Sequence, residues 1–397
     1  MITLNEEQEK IVNLGVDFYN NSSEQVFQFT GYAGTGKSVV LAEIIRRIGV
    51  PLHRVAPMSY IGQASIVMRR KGLINAKTIH SWLLEYTKVK ELNSNGDIIL
   101  DSYFNKPKYK EIFKPKKLEG KDLIVIDEAG SVPLSLKKYI LDTGLKVIAT
   151  GDSGQLPPPT DNPAFLNSGT IYRLNKIMRQ KKNSGILYLA DRARKGYTIH
   201  NGFYGDCLVI YDDEVTDSMI KGSDIIICGK NNTRDLINNN YRKNILNTDN
   251  PVPNRLERVM CRKNNWRLSV DGINLANGLT GTVINSPNVG CFDGKQYTID
   301  FMPDGSQYPF NNLPCDYKYL ISNSKDRAII KNSKYSIGEK FEFAYAITCH
   351  TSQGGQFRNG IYMEEFLSSD IQNNLNYTGI TRFSNSLIYV KKKRRYY

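Results

Sequence analysis

The stretch Gln25-Val-Phe-Gln-Phe-Thr-Gly31-Tyr-Ala-Gly-Thr-Gly-Lys37-Ser38 decides the fold, because it joins an apolar run to a glycine-rich turn and then to a helical pattern. Residues 25–30 read as a strand, and Val39 to Ile48 repeat apolar residues at helical spacing until Gly49-Val50-Pro51 stops them. Between the two, glycines at 31, 34 and 36 allow backbone conformations and close approaches that a β-carbon obstructs, so the N–H groups of Ala33, Gly34, Thr35 and Gly36 can turn inward. Lys37 supplies a point charge suited to β- and γ-phosphates, and Ser38 a hydroxyl suited to Mg²⁺. The helix that follows aims its positive end at the same place. This spacing implies a bound nucleoside triphosphate, against the blander alternative of a glycine turn before a helix.

Working outward, the chain alternates strand and helix patterns. Leu52-His-Arg-Val-Ala56 reads as a strand, Pro57-Met58-Ser59 as a polar turn, and the stretch to about Arg70 as a helix. Leu123 to Ile126 and Lys146 to Thr150 are continuous apolar runs, each ending in acidic residues. Such strands, interleaved with helices, predict an α/β fold with parallel sheets covered on both faces. Glu85 to Lys121 breaks the rhythm: an Asn95-Gly96 pair between two extended stretches predicts a β-hairpin inserted at 85–121, with a lysine-rich stretch after it. A second α/β unit is expected over 171–284 and 341–397, after a first over 1–170, with short β segments around Asp293-Gly294 and Asp304-Gly305 forming a small barrel-like insertion at 285–340.

At 397 residues the chain is long enough for two or three cores. Its formal net charge of +14 favours a polyanionic partner. Six cysteines (207, 228, 261, 291, 315, 349) are scattered without a C-x-x-C pair, which argues against a zinc site or disulfide framework and for a reducing compartment. The polar, acidic start Met1-Ile-Thr-Leu-Asn-Glu-Glu-Gln8 does not read as a signal peptide, and no apolar run reaches the length of a membrane span, so a cytosolic setting is expected.

Asp127-Glu128 follows a buried strand, as hydrolysis of a phosphoanhydride requires: one carboxylate to hold Mg²⁺, the next to polarise the attacking water. Gly151-Asp-Ser-Gly-Gln155-Leu-Pro-Pro158 follows another such strand, and Gln155 is placed to sense the γ-phosphate.

Lys37-Ser38, Asp127-Glu128 and Gly151-Asp152…Gln155-Leu156-Pro157 together resemble a superfamily 1B DNA helicase, in the RecD-like and Dda-like branch. The fold this implies is two RecA-like P-loop domains with an SH3-like β insertion. Further segments match the family in order. Leu4-Asn-Glu-Glu-Gln8 is similar to its glutamine motif, where Gln8 would read the adenine edge. Ala56-Pro57, Ser59 and Gly62-Gln63-Ala64, then Thr78-Ile-His80, resemble segments that touch single-stranded DNA. Ile177-Met-Arg179-Gln180 resembles the motif whose arginine reaches the γ-phosphate. Arg258-Val-Met260, Asn264 and Asn277-Gly278…Gly281 match a stretch typical of this branch. Ala346-Ile-Thr-Cys-His350-Thr351-Ser-Gln353-Gly354 resembles a DNA-contacting motif, and Tyr377-Thr-Gly-Ile-Thr381-Arg382 the last, with a second arginine. Position 351 is Thr where a basic residue is common, and position 58 is Met where a small hydroxyl residue is common.

The resemblance implies that Lys37, Asp127, Glu128, Gln155, Arg179 and Arg382 turn over ATP with Mg²⁺ held by Ser38 and Asp127, and that travel on single-stranded DNA runs 5′ to 3′. Pro57, Ser59, Thr78, His80, His350 and Thr351 are the expected strand contacts. The expected partners are single-stranded DNA, a duplex fork and replication or repair proteins, around a monomeric motor. Tyr103 and Phe104 are aromatic candidates for a strand-separating wedge, which stays unassigned. The rival readings are an ATPase that remodels protein–DNA complexes without processive unwinding, and a silent nucleotide-binding module.

Overall fold

The computed structural model describes residues 3–100, 107, 109–158, 161–178, 184–285, 295–332 and 337–393. The chain opens with helix α1 (Glu6–Asn21), capped by Asn5, whose side chain accepts from the Gln8 N–H while the Gln8 side chain accepts from the Asn5 N–H. Strand β1 (Val26–Gly31), the phosphate-loop helix α2 (Lys37–Ile48), β2 (Val55–Ser59), helix α3 (Gly62–Arg70), β3 (Lys77–Thr78) and the short helix α4 (Ile79–Leu83) follow. Two strands, β4 (Leu84–Lys90) and β5 (Tyr109–Pro115), project as an antiparallel hairpin before β6 (Leu123–Ile126), β7 (Lys146–Gly151) and β8 (Ile171–Leu174).

Six of these strands form one parallel sheet in the order β3-β2-β6-β7-β1-β8. The Leu-Ile-Val-Ile of β6 is fully buried, each side chain worth about 1.5–3 kcal/mol of apolar transfer. Because β6, β7 and β1 are neighbours running the same way, their carboxyl ends bring Asp127-Glu128, Asp152 and the phosphate loop to one edge.

Two boundaries differ from the sequence reading. Strand β8 pairs with β1, so residues 171–174 belong to the first sheet and not to the second unit. Pro57, Met58 and Ser59 are buried inside β2 and form no turn. A proline is tolerated there because β3 pairs with β2 only at Met58 and Ser59, so the missing N–H faces no neighbouring strand.

The second sheet assembles β9 (Gly202–Tyr204), β10 (Cys207–Tyr211) and β11 (Ile225–Cys228) with strands from the chain's last quarter. Between them lie β12 (Arg258–Cys261), a hairpin of β13 (Asn265–Val270) and β14 (Ile273–Leu275), then β15 (Thr280–Asn285), β16 (Gln296–Pro303), β17 (Phe310–Asp316) and β18 (Phe341–Phe343). Strands β19 (Ala346–Thr348), β20 (Phe357–Met363) and β21 (Phe383–Lys391) complete the second sheet in the order β19-β11-β20-β21-β10-β9, parallel except for β9.

The small β module is larger than residues 285–340. Its antiparallel sheet runs β17-β16-β15-β12-β18, so it takes in β12 and β15 before that range and β18 after it. Glu339, just before β18, exchanges backbone hydrogen bonds with Pro314 and Asp316 at the far edge and closes the sheet on itself. In the first-domain hairpin the main partner of β4 is the lysine-rich β5, in register Leu84↔Pro115 to Lys90↔Tyr109. The Asn95-Gly96 turn makes only a subsidiary tip closed by a Leu92–Ile98 bridge. Tyr103 and Phe104 lie outside the described residues.

Candidate nucleotide-hydrolysis and strand-binding site

The phosphate loop takes its shape from Gly34 and Gly36, both left-handed at φ 83° and 87°. Gly36 is also where the first helix meets the loop: the Gln8 carboxamide donates to the Thr35 carbonyl at 3.0 Å, and a β-carbon on Gly36 would lie 2.4 Å from that nitrogen. Both ends of Gln8 are therefore engaged with the protein, one in the α1 cap and one against the loop. Lys37 donates to the carbonyls of Gly31 (2.6 Å) and Tyr32 (3.2 Å) and lies 3.8 Å from Asp152. Ser38 accepts from the Lys71 ammonium at 2.9 Å.

Asp127 is half-buried at the end of β6. Burial and the adjacent Glu128 hold its pKa above the ordinary carboxylate value, while Lys71 and Lys37 pull it back. Glu128 sits in a left-handed conformation at φ 53°, ψ 40°, its N–H donating to Asp127 Oδ1. A non-glycine residue in that region marks a carboxylate turned by its surroundings away from the strand axis. Asp127 and Ser38 both offer hard oxygens on the wall of one largely apolar cavity, where the Lys71 ammonium donates to Ser38. The donor set fits Mg²⁺, which takes one or two protein oxygens and fills its sphere with phosphate and water.

The second domain reaches this edge through the helix Gln372–Thr381. Tyr377 carries the closest contact: its hydroxyl accepts from the Ala33 N–H at 2.8 Å and donates to Asp152 at 2.7 Å. Asn374 donates to the carbonyls of Gly154 and Gln155, Thr378 accepts from the Leu156 N–H, and Gln353 donates to the Leu156 carbonyl. The loop 152–156 is thus gripped from the opposite domain. Arg382, buried, donates to Thr378 and Gly355 carbonyls and comes within 4.0 Å of Glu128.

Lys37, Ser38, Asp127, Glu128 and Arg382 therefore converge, with the Gln155 backbone beside them. Arg179 and Gln180 lie outside the described residues; Met178, just before them, donates its N–H to the Gly34 carbonyl. Arg194 went unseen in the sequence. Its guanidinium lies 4.1 Å over the Tyr32 ring and donates to the Tyr32 hydroxyl, yet a single arginine on an amphipathic helix carries no local signature. Lys71 is similarly silent.

A 410 Å³ cavity runs between the domains, lined by Thr78, His80, Asn264, Asn277, His350 and Thr351 among others. Four of the six expected strand contacts meet there. Pro57 and Ser59 do not: both are buried in β2, where the Pro57 carbonyl accepts from the Trp82 indole and the Ser59 hydroxyl donates to the Ile61 carbonyl. Tyr60, Ile61 and Gly62, one to three positions on, take their place on the cavity wall. The cause is the strand running three residues past the turn expected at Pro57. His80 and His350 are both held below the usual histidine pKa by burial, so each ring is neutral at pH 7.

Residues 3–206 match the family model described as an AAA domain. Over 190 residues the chain is 30% identical to the ATP-dependent DNA helicase PIF1 of Trypanosoma brucei brucei, which covers 46% of this chain and 18% of that protein. Over 176 residues it is 28% identical to an uncharacterized protein of Acanthamoeba polyphaga mimivirus, covering 39% of this chain and 33% of the relative. The chain thus spans a third or less of these two longer proteins. In three dimensions it superposes on a Pif1 helicase from Bacteroides, solved with ADP-AlF3 and single-stranded DNA, with a TM-score of 0.55 at 18% identity over 98% of this chain and 92% of that one. A likeness at that identity establishes the shared fold.

Proposed function

The chain belongs to the AAA-domain family, and from that premise we propose that it is an ATP-dependent DNA helicase of superfamily 1B, which moves along single-stranded DNA and unwinds duplex ahead of it. The observation that carries this reading is the position of Arg382: the second domain delivers a buried guanidinium to within 4.0 Å of Glu128 on the first.

In this reading the Gly34 and Gly36 N–H groups and the Lys37 ammonium hold the β- and γ-phosphates, for which Lys37 leaves the Gly31 and Tyr32 carbonyls. The Ala33 and Thr35 N–H groups stay with the Tyr377 hydroxyl and the Tyr32 carbonyl. Mg²⁺, when bound by Ser38 and Asp127, would neutralise phosphate charge. Glu128 polarises the attacking water, and Arg382 stabilises charge developing on the transferred phosphoryl group, a planar task that lysine performs poorly. Since Arg382 and Tyr377 belong to one domain and Lys37 to the other, nucleotide at this edge bears on how the two close. The cavity lined by Thr78, His80, His350 and Thr351 crosses both domains, so closure and release would shift one set of strand contacts relative to the other. Travel from 5′ to 3′ is part of the proposal, as is a monomeric motor acting at forks with replication or repair proteins.

Unwinding of duplexes bearing either a 5′ or a 3′ single-stranded tail tests the reading. Strand displacement dependent on ATP and on the 5′ tail is expected. ATPase activity that does not rise with single-stranded DNA would overturn it, and stimulated ATPase without displacement would favour a remodelling enzyme.

A further inference from the structure

Where the two projecting hairpins meet, Trp266 of β13 lies flat on His80 of α4, their ring centroids 5.1 Å apart and their planes 16° from parallel. Phe113 of β5 packs edge-on to both, at 5.8 Å from His80 and 6.2 Å from Trp266. The chain is built to deliver the indole here. Register slips between Asn265↔Leu275 and Ser269↔Asn274, so three extra residues bulge from β13, Trp266 and Arg267 among them. At the hairpin tip, Asp271 and Gly272 are both left-handed, and their carbonyls accept from Arg69 of α3. Ser81 hydrogen-bonds Asn274.

The cluster is not a closed core. Phe113 remains 40% exposed, Trp266 is only half-buried, and the interdomain cavity and two lateral ones, of 520 and 380 Å³, all open onto Trp266. Around their walls stand Lys77, Lys116, Lys263 and Arg267, cations at the reach of a phosphate backbone, together with Arg262, which pairs with Glu342. Among the described residues, only Glu85 and Glu339 are acidic neighbours on those walls. His80 is held neutral by burial, which leaves it an aromatic plate and not a phosphate-binding cation. Flat aromatic faces inside a basic channel are the arrangement that stacks nucleobases without sequence preference.

We propose that Trp266, with His80 and Phe113, forms a nucleobase-stacking site on the single strand, in which a base replaces the ring-on-ring contact between Trp266 and His80. The inference rests on the strand-translocating function proposed above. It assigns a binding role to Trp266, which lies between Asn264 and Asn277 of one matched stretch but is not among the residues the resemblance matched.

The chain has two tryptophans, 82 and 266, so Trp82→Phe leaves Trp266 as sole indole emitter. Its emission should change as oligothymidylate binds, with binding followed independently by anisotropy of a labelled strand. Trp266→Ala should weaken that binding by about tenfold or more, and Trp266→Phe should retain most of it. The decisive comparison uses an oligothymidylate with an abasic run. Removing bases should cost the wild type affinity and cost Trp266→Ala clearly less. Equal abasic penalties in the two proteins, or unchanged Trp266 emission on saturation, would overturn the stacking site while leaving strand binding intact. Absence of any oligonucleotide binding by the wild type would overturn the helicase reading and this inference together. Thermal unfolding of Trp266→Ala, which should match the wild type, separates loss of stacking from loss of fold.

Discussion

Tyr377 spans the domain boundary with a single hydroxyl, accepting from the phosphate loop and donating to Asp152, and this bridge makes a prediction that the family motifs alone do not. Tyr377→Phe removes one hydroxyl from a buried site and leaves the Ala33 N–H and the Asp152 carboxylate short of a partner. ATP binding should persist, while stimulation of ATPase by single-stranded DNA should fall severalfold, measured as turnover with and without oligothymidylate. The motif residues make simpler expectations. Lys37→Ala should abolish turnover by removing the phosphate charge, whereas Glu128→Gln should bind ATP and lose hydrolysis by about a hundredfold or more, since general-base assistance contributes 10²–10⁴. Equilibrium binding of a fluorescent nucleotide beside a phosphate-release assay separates the two. These residues were legible because their chemistry is local: a glycine loop before a helix, or two acids after an apolar strand. Arg194, Lys71 and Trp266 were not, because each gains its role only from a neighbour more than thirty residues away. Gln8 shows the reverse: its motif is visible in the sequence, while the cap it forms on α1 and its bond to Thr35 exist only in the folded chain.

Among the elements, the hairpins show how a sequence signal can be present and still be passed over. Asp271-Gly272 between Val270 and Ile273 is as clear a two-residue turn as Asn95-Gly96, yet the bulge that presents Trp266 leaves no trace in period-two alternation. Pro57 misled in the other sense, since proline usually breaks a strand and here sits where its missing N–H costs nothing. The β module depends on an ion pair across its sheet: Arg258 of β12 binds Asp304 through both guanidinium nitrogens at 2.5 Å, and Thr280 adds a hydroxyl. Burial opposes ionisation of Asp304, but the guanidinium prevails and its pKa lies below the ordinary carboxylate value. A carboxylate held low in this way stabilises the fold above its unfolded pKa of about 3.9, and that stabilisation is lost as pH falls through the folded value. Asp304→Asn should therefore cost about 2 kcal/mol at pH 7. The gap to wild type in thermal unfolding should narrow as pH drops below about 4.

At the scale of the whole molecule, the two domains touch through backbone as well as side chains. Gly354, at φ 72°, lies against α3 so closely that a β-carbon would fall 2.6 Å from the Ala64 methyl and 3.0 Å from its backbone nitrogen. Gly354→Ala combines a strained conformation with a clash across the interface. It should leave each domain folded by circular dichroism while lowering DNA-stimulated ATPase more than basal ATPase. The two α/β units could be read from the alternation of apolar runs and helices. Their boundaries could not, because β8 returns to the first sheet and the β module borrows strands from both sides of its insertion point.

The hairpin tip held by Arg69 has a topological consequence. A hairpin that springs from one domain and is fastened to the other makes an eyelet of what would otherwise be an open groove. A linear strand can be threaded through an eyelet by its end; a circular one enters only when the fastening lets go. Association with circular single-stranded DNA should accordingly be slower than with a linear strand of equal length, and Arg69→Ala should narrow the difference in a stopped-flow measurement.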